Sequence, residues 1–123
     1  MLDIIINDKR WEWEAVEIGT KGDELTLDVT SESVATYAKD ARNFNPAYLE
    51  AGAGDLAMPT GIFRDCQLRR HSVAQAAGYT SLEMVEDNSR QTPFAKCTAR
   101  WFAPIRVGDT LTSSAQVLEK YER

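Results

Sequence analysis

A helical segment that stops at a proline constrains the fold of this chain more than any other feature. Thr30 supplies a hydroxyl cap, and Glu32 places a carboxylate in the first turn. The apolar positions that follow share one helical face: Val34, Tyr37, Ala38 and Ala41. The Asn45-Pro46 step ends this helix, because a residue before proline avoids the α region. We therefore predict an amphipathic helix over 30–41 and a short helix over 47–51.

The remaining patterns predict strands around a second helix. That helix covers 62–77, and Gly78 is its expected C-cap. Three segments show alternating apolar residues typical of strands: 25–29, 94–102 and 111–121. The alternation over 11–14 fits a short strand or an edge segment. Turns are expected at 19–22 and 107–109, and a loop at 80–92. This order predicts an α+β domain with an antiparallel sheet.

Size and charge exclude several classes of protein. With 123 residues, the chain is expected to form one domain. Its net charge of −5 argues against nucleic-acid binding, which needs a basic stripe. No apolar run approaches the roughly 20 residues of a membrane helix. Cys66 and Cys97 have no metal-ligand spacing, so we expect buried free thiols, no metal and no cofactor in a cytoplasmic protein.

Three motifs in order resemble the MaoC-like hydratase/dehydratase family. Residues 43–50 read NFNPAYLE, where that family has an Asp-x-Asn-Pro-x-His-x-Asp pattern. Downstream, 58–62 (MPTGI) and 102–111 (FAPIRVGDTL) are similar to the family's step into the next helix and its strand-turn-strand signature. The resemblance covers about residues 24–121. It implies a hot-dog fold, in which an antiparallel sheet wraps around a central helix.

The resemblance also implies an activity on thioesters in fatty acid metabolism. In that family the motif's Asp and His form an acid/base pair that adds water to a 2-enoyl thioester or removes it from an (R)-3-hydroxyacyl thioester. A backbone N–H at the following helix holds the thioester carbonyl. Gly61 occupies this position, where it either admits a close ligand or serves a tight turn. Asn45 is also carried over as a substrate-binding candidate.

Both acid/base positions are replaced in this chain. Asn43 stands at the Asp position, and an amide exchanges no protons in the useful range. Tyr48 stands at the His position, and a phenol with an ordinary pKa of about 10 is a poor base at neutral pH. Glu50 is a weak candidate for a recruited base. The lone histidine, His71, lies outside the motif and is expected to be solvated or structural.

Two further groups of residues have open alternatives. Arg64, Arg69 and Arg70 either bind the phosphates of coenzyme A or form a plain exposed helix face. The three tryptophans either line an acyl tunnel or, as the safer expectation, pack in the core or at an interface: Trp11, Trp13 and Trp101.

Three functions are compatible with these residues. The degenerate motif favours a non-catalytic subunit or half that binds the acyl chain of a coenzyme A or acyl-carrier-protein thioester. The alternatives are an active hydratase or thioesterase using Tyr48 and Glu50, and an acyl-CoA-binding module without chemistry. The family's sheet usually has two more strands after 111–121, so we expect either a fragment or a partner that completes the sheet. We expect a homodimer, or a heterodimer with a catalytic hot-dog subunit, because an open sheet edge favours association.

Overall fold

The computed structural model describes residues 3–85 and 95–122. It is an α+β structure with two strands, β1 (Leu25–Asp28) and β2 (Thr110–Ser113). Between them lie helices α1 (Ser31–Asp40) and α2 (Pro46–Leu49), a 3₁₀ helix (Pro59–Asp65) and helix α3 (Cys66–Ala76). In these described ranges, no helix has the length and apolar character needed to cross a membrane.

Strands β1 and β2 pair in a two-stranded antiparallel sheet. Thr110 Oγ1 donates to Asp28 Oδ1 across the pair at 3.0 Å. At the end of the pair, the N–H of Val29 donates to the Asp109 carbonyl at 2.8 Å, and its carbonyl accepts from the N–H of Gly108 at 2.9 Å. Two residues thus oppose one, which is a β-bulge with Gly108 at φ +103°. The turn predicted at 107–109 is confirmed.

The chain divides into two compact units. The first unit comprises Met1–Thr26, Cys66–Lys96 and Thr112–Arg123, and the second comprises Leu27–Asp65 and Cys97–Leu111. Leu25, Val73 and Ala74 are buried apolar residues of the first unit. Buried apolar residues of the second unit are Val34, Ala38 and Ala51. The expectation of one domain stays a prediction.

Helix α1 has the predicted start and lies within the predicted bounds, but it ends before the Asn45-Pro46 step that was expected to stop it. The Thr30 hydroxyl accepts from the N–H of Ser33, and the Ser33 hydroxyl oxygen accepts from the N–H of Thr30, both at 3.0 Å. At the other end, Arg42 has φ +57°, and the Asn43 N–H reaches the Ala38 carbonyl at 2.8 Å. This left-handed residue lets the chain turn out of the helix. Helix α2 begins one residue earlier than predicted and ends at Leu49.

The helix predicted over 62–77 is present but starts earlier and in another geometry. Its first part is the 3₁₀ helix Pro59–Asp65, which continues into α3. A proline suits the first position of a helix because its missing N–H would have no partner there. After α3, Gly78 has φ +89°, and the Tyr79 N–H donates to the Ala74 carbonyl at 2.8 Å. The predicted glycine C-cap is therefore confirmed.

The strand predicted over 94–102 is wrong for its described residues, and the strand alternative for 11–14 is wrong as well. Residues 95–102 form no strand, and Phe94 lies outside the described residues. Alternation of apolar residues favours a strand only where a neighbour supplies hydrogen bonds, and these residues are exposed, Cys97 among them. The expectation that Cys97 is buried is therefore wrong as well. Residues 11–14 enter a turn, in which the Ala15 N–H donates to the Glu12 carbonyl at 2.9 Å.

The last predicted strand is shorter than 111–121. Strand β2 ends at Ser113, and one further bridge pairs Gln116 with Lys21. The predicted loop over 80–92 is consistent with the turn at 82–84, and its residues 86–92 are not among those described. The larger sheet of a hot dog therefore stays an expectation from the family, while the α+β class is observed.

His71 is a buried structural residue of the first unit, which decides between the two expected roles, solvated or structural. The side chain is fully buried. Its Nε2 lies 3.1 Å from both the Ile5 carbonyl and Gln75 Oε1. Its Nδ1 lies 3.4 Å from the N–H and the hydroxyl of Ser81. The ring therefore joins the N-terminal segment and residue 81 to helix α3.

Candidate functional site

Asn43, the first motif position, lies in the loop between α1 and α2 and bonds to the backbone of that loop. The side-chain oxygen of Asn43 accepts a hydrogen bond from the N–H of Asn45 at 3.1 Å. The side-chain nitrogen of Asn43 lies 3.6 Å from the sulfur of Met58. Asn45 in turn caps α2, because its side-chain oxygen accepts from the N–H of Ala47 at 3.0 Å. Asn43 and Asn45 thus shape the turn that leads into α2.

Tyr48 lines an apolar groove in the second unit. The groove has a volume of about 390 Å³, within the range of small-molecule sites. The residues around it come from three short segments of the second unit: Tyr48, Leu56, Ala57, Pro59, Trp101, Phe102, Ala103, Pro104 and Ile105. Of the two replaced motif positions, Tyr48 is in this lining and Asn43 is not.

Trp101 forms a fixed wall of the groove. Its indole N–H donates to the Pro59 carbonyl at 3.2 Å. Its ring meets Phe63 edge to face, with 6.4 Å between centroids and 88° between planes. The neighbouring ring of Phe102 is 89% exposed. The groove therefore combines one anchored aromatic side chain with one that is open to solvent.

Gly61 stands in the 3₁₀ helix without a backbone need for glycine. Its N–H donates to the Met58 carbonyl at 3.0 Å, so the donor expected to hold a thioester carbonyl closes a turn in this structure. A Cβ at this position would meet the Tyr37 ring at 3.7 Å, which is ordinary van der Waals contact. The Tyr37 hydroxyl donates to Thr60 Oγ1 at 3.0 Å and fixes that ring. Neither the backbone conformation nor the packing against Tyr37 therefore requires glycine at position 61.

Glu50 is separate from the groove lining. It is an exposed residue at the C-terminal end of α2, and its N–H donates to the Pro46 carbonyl at 2.9 Å. The structure therefore brings Tyr48 to the groove but not Glu50. A base recruited from position 50 gains no support from this arrangement.

Each of the three arginines of the predicted basic cluster contacts a carboxylate, a carbonyl or a sulfur atom of the protein. Arg64, in the second unit, reaches the Asp65 carboxylate at 3.4 Å and the Ser33 carbonyl at 3.2 Å. Arg70, in the first unit, pairs with Glu83 at 2.7 Å. Arg69 donates to the sulfur of Cys66 at 3.6 Å. Binding of coenzyme A phosphates by these residues stays a prediction.

The sequence reading missed several groove residues. Leu56 and Ile105 lie in a two-segment ribbon, where the Ala57 N–H donates to the Ile105 carbonyl at 2.9 Å. An antiparallel bridge pairs Leu56 with Arg106. The motif over 102–111 includes residues 105–107, which form one side of this ribbon. The other side, residues 54–57, has no strand-like alternation, so the sequence did not predict it.

Comparison with known proteins identifies the family. The sequence model of the FAS1-like dehydratase domain region matches residues 16–123, so the chain belongs to the MaoC-like and FAS1-type dehydratase family. The structure of a monoamine oxidase regulatory protein from Archaeoglobus fulgius is similar over 97% of this chain and 78% of that chain. It has 22% sequence identity and a TM-score of 0.64. No curated protein matches the chain.

Proposed function

We propose that this MaoC-like dehydratase-domain protein binds an acyl thioester without catalysing its hydration. It would act as the non-catalytic subunit or half of an (R)-specific enoyl-CoA hydratase or 3-hydroxyacyl dehydratase. One observation carries this proposal. Tyr48, at the family's histidine position, lines the apolar groove, whereas Asn43, at the aspartate position, serves its own loop.

The chemistry of the two side chains supports binding rather than turnover. Hydration needs a group that takes a proton from water and a group that donates one. An amide bonded to the Asn45 N–H and to Met58 offers neither function. The aromatic ring of Tyr48 is instead suited to contact an acyl chain, as are the apolar groups of Leu56 and Phe102 in the same lining.

Calorimetry with butyryl-CoA tests the binding part of the proposal. Phe102→Ala removes an 89% exposed ring from the groove, so the fold should survive. Phe44→Ala is the matched control, because this phenylalanine is also exposed, lies in the same unit and is outside the described lining. We expect the affinity for butyryl-CoA to fall about 10- to 100-fold in the first variant, since burial of a phenyl group contributes about 1.5–3 kcal/mol. Equal affinities of both variants would contradict the assignment of the groove.

A turnover assay with crotonyl-CoA tests the non-catalytic part. We expect the pure protein to hydrate crotonyl-CoA far below the usual range of about 1–10³ per second. Turnover within that range would overturn this part. Tyr48→Phe would then show whether the phenol takes part, since this variant keeps the ring and removes the hydroxyl.

The role as a subunit needs a partner with an intact Asp and His motif. Co-purification from the native host, followed by sequencing of the bound protein, tests this part. We expect a second hot-dog protein whose addition gives hydratase activity with crotonyl-CoA. A stable self-association that excludes such a protein would favour the thioester-binding module without chemistry.

A further inference from the structure

Arg106 lies beside the groove on the ribbon formed by residues 54–57 and 105–107. The Val107 N–H donates to the Asp55 carbonyl and the Ala57 N–H to the Ile105 carbonyl, both at 2.9 Å. These two bonds flank the antiparallel pair of Leu56 and Arg106. Residues directly opposite each other in such a pair carry their side chains on the same face and close together. Leu56 and Ile105 line the groove, so Arg106, opposite the first and next to the second, stands close to the lining without belonging to it.

The guanidinium of Arg106 is held in place, and no carboxylate within residues 3–85 and 95–122 forms an ion pair with it. Its Nη1 donates to the Gly54 carbonyl at 2.9 Å. The backbone N–H of Arg106 donates to Asp109 Oδ2 at 2.8 Å, which fixes the start of the side chain. Gly54 itself is tied to the ribbon, since its N–H donates to the Val107 carbonyl at 2.9 Å. An arginine carries five N–H donors, so one carbonyl leaves most of the fork for a ligand.

Arg64 and Arg70, two of the described arginines, lack this combination. Arg64 and Arg70 contact carboxylates, those of Asp65 and Glu83. An incoming anion would have to compete with these carboxylates for the guanidinium. Arg106 is exposed, contacts a neutral carbonyl and stands next to an apolar groove of about 390 Å³. This juxtaposition suits a ligand with an apolar body and an anionic group at one end.

We propose that Arg106 binds a phosphate of the thioester's carrier, while the groove holds the apolar part of the ligand. This inference rests on the proposed function, because it assigns a residue to the same ligand. The phosphate is shared by two sources, coenzyme A and the phosphopantetheine of an acyl carrier protein. Arg106 is an additional phosphate-binding residue, since it lies outside the predicted basic cluster of Arg64, Arg69 and Arg70.

Calorimetry with three probes and three variants tests the assignment. The probes are butyryl-CoA, butyryl-4′-phosphopantetheine and butyryl-pantetheine, which carries no phosphate. The variants are Arg106→Gln, Arg106→Lys and the matched control Arg42→Gln, which changes another exposed arginine of the same unit. We expect Arg106→Gln to weaken the phosphate-bearing probes about tenfold, the size of a charge-assisted hydrogen bond. Arg106→Lys should recover part of this loss, and Arg42→Gln should bind like the unchanged protein.

The outcomes distinguish the pantetheine phosphate from the nucleotide phosphates. They also distinguish a failure of this inference from a failure of the proposed function. A loss with both phosphate-bearing probes assigns the pantetheine phosphate, and a loss with butyryl-CoA alone assigns the nucleotide phosphates. An equal loss with all three probes would overturn the inference, because it would come from the lost Gly54 contact. Unchanged binding of all probes would overturn it too, with the proposed function intact. Failure of all three to bind the unchanged protein would remove the proposed function and this inference together.

Discussion

The side-chain oxygen of Asn43 accepts a hydrogen bond from the backbone N–H of Asn45 at 3.1 Å, and this bond defines what position 43 does in the chain. Asn43→Asp should leave the free energy of unfolding within about 0.5 kcal/mol, because a carboxylate accepts the same bond. Asn43→Ala should lower it by about 1 kcal/mol. Urea unfolding of the two variants measures the difference.

The same pair of variants separates the loop role of Asn43 from a chemical one. Neither should hydrate crotonyl-CoA measurably, since Tyr48 still occupies the histidine position. Asn45→Ala serves as the control for a pure loop effect, because it removes the cap of α2 at a similar cost of about 1 kcal/mol. A large destabilisation by Asn43→Asp would show that the amide nitrogen, near Met58, matters more than the oxygen.

Gly22 allows the chain to pass directly over helix α3 in the first unit. A Cβ at this position would overlap the side chain of Ser72 and lie 2.8 Å from the backbone nitrogen of Val73. Since backbone atoms of a helix cannot move aside cheaply, we expect Gly22→Ala to lower the free energy of unfolding by about 2–3 kcal/mol. Gly52→Ala is the matched control, with its nearest contact at 3.9 Å. Equal stabilities of the two variants in thermal melts would disprove the close approach.

Local signals in the sequence predicted the helices and the bulged turn well. The Thr30 cap and Gly78 act on neighbouring residues, so their effect needs no knowledge of the rest of the fold. The Asn45-Pro46 step begins α2, whereas α1 already ends at Asp40, where the left-handed Arg42 turns the chain. Alternation over 95–102 also predicted a strand, yet a strand depends on a hydrogen-bonding neighbour that the pattern does not specify.

The residues of the candidate site also divide into those that a local motif predicted and those that depend on pairing between distant segments. The motif located Tyr48 because its spacing to Asn45-Pro46 is local. Leu56 and Arg106 were missed, since the groove edge depends on pairing between segments 50 residues apart in the chain. The position of His71 also depends on residues far away in the sequence. The sequence left a solvated and a structural role open for this histidine, and the partners at residues 5 and 81, which belong to its buried site, come from distant parts of the chain.

Arg42 adopts a left-handed conformation with φ +57° where the chain leaves α1. A side chain in this region costs about 1 kcal/mol, and glycine avoids the cost. We expect Arg42→Gly to raise the free energy of unfolding by about 0.5–1 kcal/mol, measured in urea. Arg42→Ala is the control, which removes the same charge and keeps the Cβ. If both variants shift equally, the charge and not the backbone would be responsible.

His71 holds three parts of the first unit together through both ring nitrogens. His71→Ala would leave a cavity and remove the partners of the Ile5 carbonyl and the Ser81 N–H. We expect the free energy of unfolding to fall by about 3 kcal/mol. Hydrogen exchange should also rise at residues 5–9, because the imidazole bonds this segment to α3. Unchanged exchange there would contradict the joining role, even if the global stability fell.

Gly61 offers a test in which stability and ligand binding should move in opposite directions. The φ of this residue is not in the left-handed region, and a Cβ would make an ordinary contact with Tyr37 at 3.7 Å. Gly61→Ala should therefore keep or raise the free energy of unfolding, by up to about 1 kcal/mol, as alanine favours a helix. If the ligand approaches the backbone here, the added methyl group occupies its space. We then expect the affinity for butyryl-CoA to fall by at least about tenfold, the result of losing one good contact. Calorimetry beside a thermal melt gives both quantities on one preparation. A variant that is equally stable and binds butyryl-CoA unchanged would show that this glycine serves only the turn closed by Met58.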